Sequence, residues 1–132
     1  MEIITDYPPN YDKIAEVFPI KNRPGVIFTY GDTLYCPNGV DVPGHLMAHE
    51  QTHTKQQGKN VEGWWDRYLT DSEFRLNQEV EAYHNQYEYL RDNHNRKDRR
   101  FVLNQISKDL ASPIYGSLVT KEQAKELIVS GL

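Results

Sequence analysis

Residues 49–53 read His-Glu-Gln-Thr-His. On an α-helix two residues four apart are separated by about 40° around the axis, so the imidazoles of His49 and His53 point the same way and can grip one ion. Glu50 lies about 100° further round, placed to hold a water beside that ion without ligating it. Zinc lowers the pKa of such a water towards about 7, and a nearby carboxylate takes its proton as the oxygen attacks a carbonyl. The pattern therefore points to one Zn2+ ion held by His49 and His53, with Glu50 as general base. A zinc site takes three or more protein ligands, so a third must come from elsewhere in the chain.

The long helix expected after residue 70 offers Glu73, Glu79, Glu81 and Glu88. At about 100° per residue, Leu76, Ala82, Tyr83, Gln86 and Leu90 all fall within about 60° of Glu79. Glu79 thus stands in a largely apolar stripe, where a buried carboxylate needs a partner that a cation can supply. The competing reading is an exposed acid paired with Arg75, four residues earlier. Glu81 points about 160° away and belongs to the solvated face. Ala82 is small enough to let two helices approach closely, as a shared ion requires. Tyr83 and Tyr87 lie on the metal-facing side and could each donate an O–H to a developing oxyanion, although core packing is the commoner fate of a helical tyrosine. His45 lines up with both histidines, but it stands about 12 Å of helix from His53, so one ion cannot take all three. It reads as a first-turn or outer residue. Gln56 faces the metal side.

The elements that must position these groups follow from local signals. Asp41 as cap, Pro43 in the first turn and Gly58 as stop delimit a helix over about residues 42–57. Upstream, residues 26–30 and 33–36 flank Gly31-Asp32 and read as a β-hairpin. Residues 1–12 read as an irregular lead-in with one short strand at Ile3-Ile4. Trp64 and Trp65 fall in a loop that clamps onto the two helices. Thr70-Asp71-Ser72-Glu73 has capping-box spacing and opens the long helix to about Asn93. Phe101 to Leu110 reads as a third helix, and Thr120-Lys121-Glu122-Gln123 opens a short fourth. The sum is an α+β chain, mostly helical, with a small N-terminal hairpin.

The 132 residues form one domain, 1–132, and their formal charge of −4 argues against a dedicated nucleic-acid binder. No apolar run approaches the roughly 18 residues of a membrane span. The start, Met-Glu-Ile-Ile-Thr-Asp-Tyr-Pro-Pro, lacks a basic leader and an apolar signal core, so a cytoplasmic location is expected. The lone Cys36 excludes an internal disulfide and suits a reducing compartment. It reads as a small buried thiol, a thiolate ligand to the zinc being the alternative. Arg91, Arg96, Lys97, Arg99 and Arg100 form a basic cluster between helices, read as a solvated cap.

His49-Glu50-x-x-His53 followed by a helix carrying Glu79-Val80-Glu81-Ala82 resembles the gluzincin clan of zinc metallopeptidases, and the short length brings it nearest to minigluzincins. The resemblance covers about residues 26–90. It implies a zincin-like core, Glu79 as third ligand, and hydrolysis of a peptide or protein substrate. It also implies a rim strand, for which Thr33-Leu34-Tyr35-Cys36 is the candidate, against which an extended peptide adds. An oxyanion stabiliser, often His or Tyr from a later domain, is expected as well. One departure stands out: Tyr83 occupies the place where some of these families have an Asp that supports a ligand. Two other readings compete, a zinc-stabilised binding or structural module and an enzyme acting on a non-peptide amide.

Overall fold

The computed structural model describes residues 1–21 and 23–131. Three short strands, β1 (Glu2–Ile4), β2 (Phe28–Tyr30) and β3 (Thr33–Tyr35), form one sheet. β2 and β3 are the expected hairpin, antiparallel with Thr29 opposite Leu34. Gly31 turns it at φ 63°, a left-handed conformation that glycine adopts without steric cost. β1 runs parallel to β3 on its other side, giving the order β1-β3-β2. This corrects one expectation. β3, the candidate rim strand, is the central strand and has both edges paired. β1 and β2 are the edge strands of this sheet.

Six helices follow the sheet's logic: α1 (Tyr11–Val17), α2 (Gly44–Gln57), α3 (Val61–Thr70), α4 (Ser72–Asn93), α5 (Arg96–Leu110) and α6 (Lys121–Ser130), with a 3-10 turn at Pro113–Tyr115. The chain is thus α+β and mostly helical. Among the described residues no helix is long and apolar enough to cross a membrane.

α2 begins at Gly44 with Pro43 at its N-cap and no side-chain cap, so Asp41 does not hold it. The start is set instead by packing. The Tyr89 ring of α4 sits against Gly44, where a Cβ would force that ring to shift. Gly58 ends α2 as expected, at φ 52°.

Trp64 and Trp65 lie on a helix, α3, and not in a loop. Asn60 caps it by accepting from the Gly63 N–H at 3.0 Å, and Val61, Trp64, Trp65 and Tyr68 recur at helical spacing to form its apolar face. α1 was likewise not expected from the Pro-rich lead-in. α4 is capped by Asp71, which accepts from the Phe74 N–H at 3.1 Å, one residue after the Thr70 of the expected box. α5 starts five residues earlier than Phe101 because Asn95 accepts from the Asp98 N–H at 2.8 Å. The basic residues 96–100 therefore occupy its first turns and do not sit between helices. The Thr120/Gln123 capping box of α6 is complete, with bonds of 2.9 and 3.1 Å.

Two apolar clusters flank the α2–α4 pair. One gathers Ile14, Phe18, Phe28, Trp64, Trp65 and Tyr68 from α1, β2 and α3. The other gathers Val80, Tyr83, Leu103, Ile106, Leu110 and Ile128 where α5 and α6 pack on α4. Ala82 is fully buried, the small residue at the close approach.

Candidate metal centre

Side chains bolt α2 to the hairpin and so fix its register. Gln57 donates to the Thr29 carbonyl at 2.9 Å and accepts from the Gly31 N–H at 2.7 Å, while Thr54 donates to the Gly31 carbonyl at 2.9 Å. From α2 so held, His49 and His53 project towards α4, their Nε2 atoms 3.2 Å apart. Glu79 Oε1 lies 3.2 Å from His49 Nε2 and 3.3 Å from His53 Nε2. All three residues are buried, and together they form a group that could hold a metal ion.

The remaining polar atom of each residue is already engaged, and those engagements decide what the inward atoms offer. Gln56 donates through Nε2 to the Gln78 carbonyl at 3.0 Å and to Glu81 Oε1 at 2.9 Å, both pure acceptors, so its Oε1 end faces His53 Nδ1 at 2.8 Å. His53 must then carry its proton on Nδ1 and present a lone pair on Nε2. Gln86 puts its Oε1 3.0 Å from His49 Nδ1 and its Nε2 2.8 Å from His45 Nδ1. With His45 protonated on Nε2, the His49 Nε2 presents a lone pair as well. Tyr68 donates to Glu79 Oε2 at 2.5 Å. Three acceptor atoms therefore converge with no donor between them, and Glu79 Oε1 is a buried oxygen without a hydrogen-bond partner. Buried lone pairs in that arrangement repel unless a cation joins them. The residues present fit a metal ion.

The electrostatics agree. Burial works to lower the His53 imidazole, but the Glu79 carboxylate beside it wins and pushes it up to about 9. Burial would raise Glu79, yet the charge of a protonated His53 beside it holds it well below the usual carboxylate range. Without a metal, a proton serves as the cation at this point.

Glu50 is buried next to the first ligand, and its Oε2 accepts from the Thr29 hydroxyl at 2.6 Å. Tyr83 sets its ring edge against His49, with centroids 4.3 Å apart, and its hydroxyl meets that of Tyr115 at 2.7 Å. Burial and the Glu79 charge raise both phenols well above their ordinary range, so both stay protonated. Tyr87 packs half-buried against the second apolar cluster and is not brought to this group. Arg75 does not pair with Glu79. It donates to the Tyr68 carbonyl at 3.0 Å and the Tyr115 carbonyl at 3.1 Å and stacks on Phe18. Glu81 is exposed, on the solvated face as expected. His45 stands outside the group, linked to it through Gln86. Cys36 is a buried thiol outside the His49, His53 and Glu79 group, and burial and the Glu50 charge push its pKa up.

Two adjoining cavities open on the group. A chamber of about 80 Å3 is lined by His49, Glu50, His53 and Glu79. An open cleft of about 520 Å3 is lined by His49, Glu50, Tyr83 and Asp109. Both touch Val26 and Ile27, which lead into β2, and Ile114 and Tyr115 opposite. Thr29, Tyr68 and Tyr115 were not singled out from the sequence, and only their place in the fold reveals them. Gln86 carried a signal, since it shares the Glu79 face of α4. The chain matches no protein-family model, no curated protein and no solved structure. Its site must be read from its own geometry.

Proposed function

We propose that this protein is a zinc-dependent hydrolase of peptide or similar amide bonds, built like a minigluzincin. The observation that carries the reading is the convergence of His49 Nε2, His53 Nε2 and Glu79 Oε1 with their lone pairs inward, beside a buried carboxylate, Glu50, that stays out of the set. Two imidazoles and one carboxylate are a donor set that zinc takes in catalytic sites, leaving a position open. When bound, the ion supplies Lewis acidity and lowers the pKa of a water.

The protein's own residues supply the rest. Glu50, steadied by the Thr29 hydroxyl, accepts the proton of the attacking water and returns it to the leaving nitrogen as the C–N bond breaks. Tyr83 and Tyr115 share one hydrogen bond between two hydroxyls, so one O–H remains to donate to the carbonyl oxygen as it gains charge. Residues 26–27, which line the cleft, offer backbone groups to an extended peptide there. A purely structural zinc module would have no use for the Glu50 carboxylate, which favours the enzyme.

The test pairs metal analysis with cleavage of a casein-like substrate. Parent and Glu50→Gln should both hold near-stoichiometric zinc, and the variant should lose hydrolysis by roughly 10²–10⁴-fold. Equal cleavage by the two proteins would refute the reading.

A further inference from the structure

The first apolar cluster is not packed shut. Among Ile14, Phe18, Ile20, Phe28, Trp65 and Ile114 it leaves the chamber of about 80 Å3, in an interior where voids larger than a water are few. One end of that chamber is the metal-ligating group itself. His53 and Glu79 line the chamber and do not line the open cleft, while His49 and Glu50 line both.

We propose that the chamber is a specificity pocket: it takes a branched aliphatic side chain of three or four carbons next to the bond to be cleaved, and it refuses an aromatic ring. The inference rests on the metal-centre reading above.

Three features lead there. The first is chemistry. Away from the ligand group the walls are mostly apolar, and their polar atoms are engaged. Gln57 bonds with Thr29 and Gly31, and the Thr29 hydroxyl with Glu50. The indole N–H groups of Trp64 and Trp65 bond with Gln78 and Thr29, Tyr68 with Glu79, and the Tyr115 hydroxyl with that of Tyr83. A charged or amide side chain would lose its water there and find no partner. The second is size. An apolar cavity of about 150 Å3 holds a benzene molecule, and this one has about half that volume. The third is rigidity. Trp65 donates to the Thr29 carbonyl at 3.2 Å, and Arg75 stacks on Phe18 while holding the Tyr115 carbonyl. The walls therefore cannot spread for a ring without breaking these contacts. A peptide lying in the cleft passes the chamber mouth, because Val26, Ile27, Ile114 and Tyr115 border both spaces.

Three hydroxamates with the same metal-binding head and different tails test this by calorimetry on zinc-loaded protein: acetyl, 3-methylbutanoyl and phenylacetyl. Each buried carbon is worth about fourfold in affinity, so the 3-methylbutanoyl compound, with three more carbons than acetyl, should bind about 50-fold tighter. The phenylacetyl compound should bind no tighter than acetyl. Ile114→Ala and, separately, Ile20→Ala widen the chamber and should raise phenylacetyl affinity by about tenfold or more. If the three tails bind the parent within about threefold of one another, or phenylacetyl binds tightest, the pocket is refuted and the metal centre stands. If none of the three binds protein that holds zinc, the open coordination position is absent and the hydrolase reading falls with the pocket. Should both variants fail to fold, the ranking on the parent alone decides.

Discussion

Removing the metal should destabilise the protein, and the loss should deepen as the pH rises from about 6 to 9. His49 and His53 belong to α2 and Glu79 to α4, so a bound ion cross-links the two helices between the apolar clusters. A ligand that binds only the folded state adds RT ln(1 + [L]/Kd), about 4 kcal/mol at 1,000 times its Kd. For a domain of this size that is on the order of 10 °C in melting temperature. The stripped protein has its own pH dependence. His53 rises from 6.5 to about 9 in the fold, so its contribution is fully present below the unfolded value and is lost as the pH climbs through the folded one. One pKa unit corresponds to about 1.4 kcal/mol, which sets an upper bound of roughly 3–4 kcal/mol for that loss. The depressed Glu79 pKa is the other face of the same pair and is not counted again. The loaded protein behaves oppositely, because the imidazoles must be neutral to ligate, and it should release metal below about pH 6. Melting curves with and without a chelator at pH 6, 7, 8 and 9, with metal content measured, read both effects. Identical midpoints with zinc shown to be removed would mean that no ion bridges α2 and α4. A gap that narrows with rising pH would refute the proton as its stand-in.

Glu79→Gln should lose most zinc affinity while Glu81→Gln keeps it, as read by competition with a chromophoric chelator; equal losses would break the facing argument. Gln86→Met removes the acceptor that fixes His49 and should weaken zinc binding by about 10–100-fold. Unchanged affinity in a folded Gln86→Met protein would show that the His49 ring is held by packing alone. The double variant Tyr83→Phe/Tyr115→Phe should retain zinc and lose roughly 10²-fold in turnover, so full activity in it would remove the tyrosine pair from catalysis.

The His49, His53 and Glu79 grouping was legible because helical geometry is local: four-residue spacing aligns the two histidines on α2, and 100° steps put Glu79 and Gln86 on one stripe of α4. The hairpin and the α6 capping box were legible for the same reason. What failed depended on contacts distant in sequence. Nothing within residues 33–36 announces that β1 will pair alongside, so an inner strand read as an edge. Tyr87 lies about 80° from Glu79 around the helix, and only the arrival of α5 and α6 turns that flank into a second core. α3 was hidden by glycines on both sides of a capping Asn60, although its spacing of aromatics was there to be read. Tyr115 had no signal at all, since its place depends on how the chain after α5 folds back.

Arg75 has a consequence for the order of assembly. One guanidinium reaches the end of α3 through Tyr68, the N-terminal lobe through Phe18, and the returning chain through Tyr115, which is 40 residues away in sequence. The packed α2–α4 pair gathers both histidines and the glutamate using only residues up to 79. The Tyr83–Tyr115 contact spans 32 residues, a closure within about 0.2 kcal/mol of the His53–Glu79 one, but it also needs α5 formed and the chain after it folded back. A nascent or refolding chain would then capture its ion before it could process anything. Ion capture and turnover should appear as separate kinetic phases in a refolding experiment, with the interval between them set by the stretch from α5 to Tyr115.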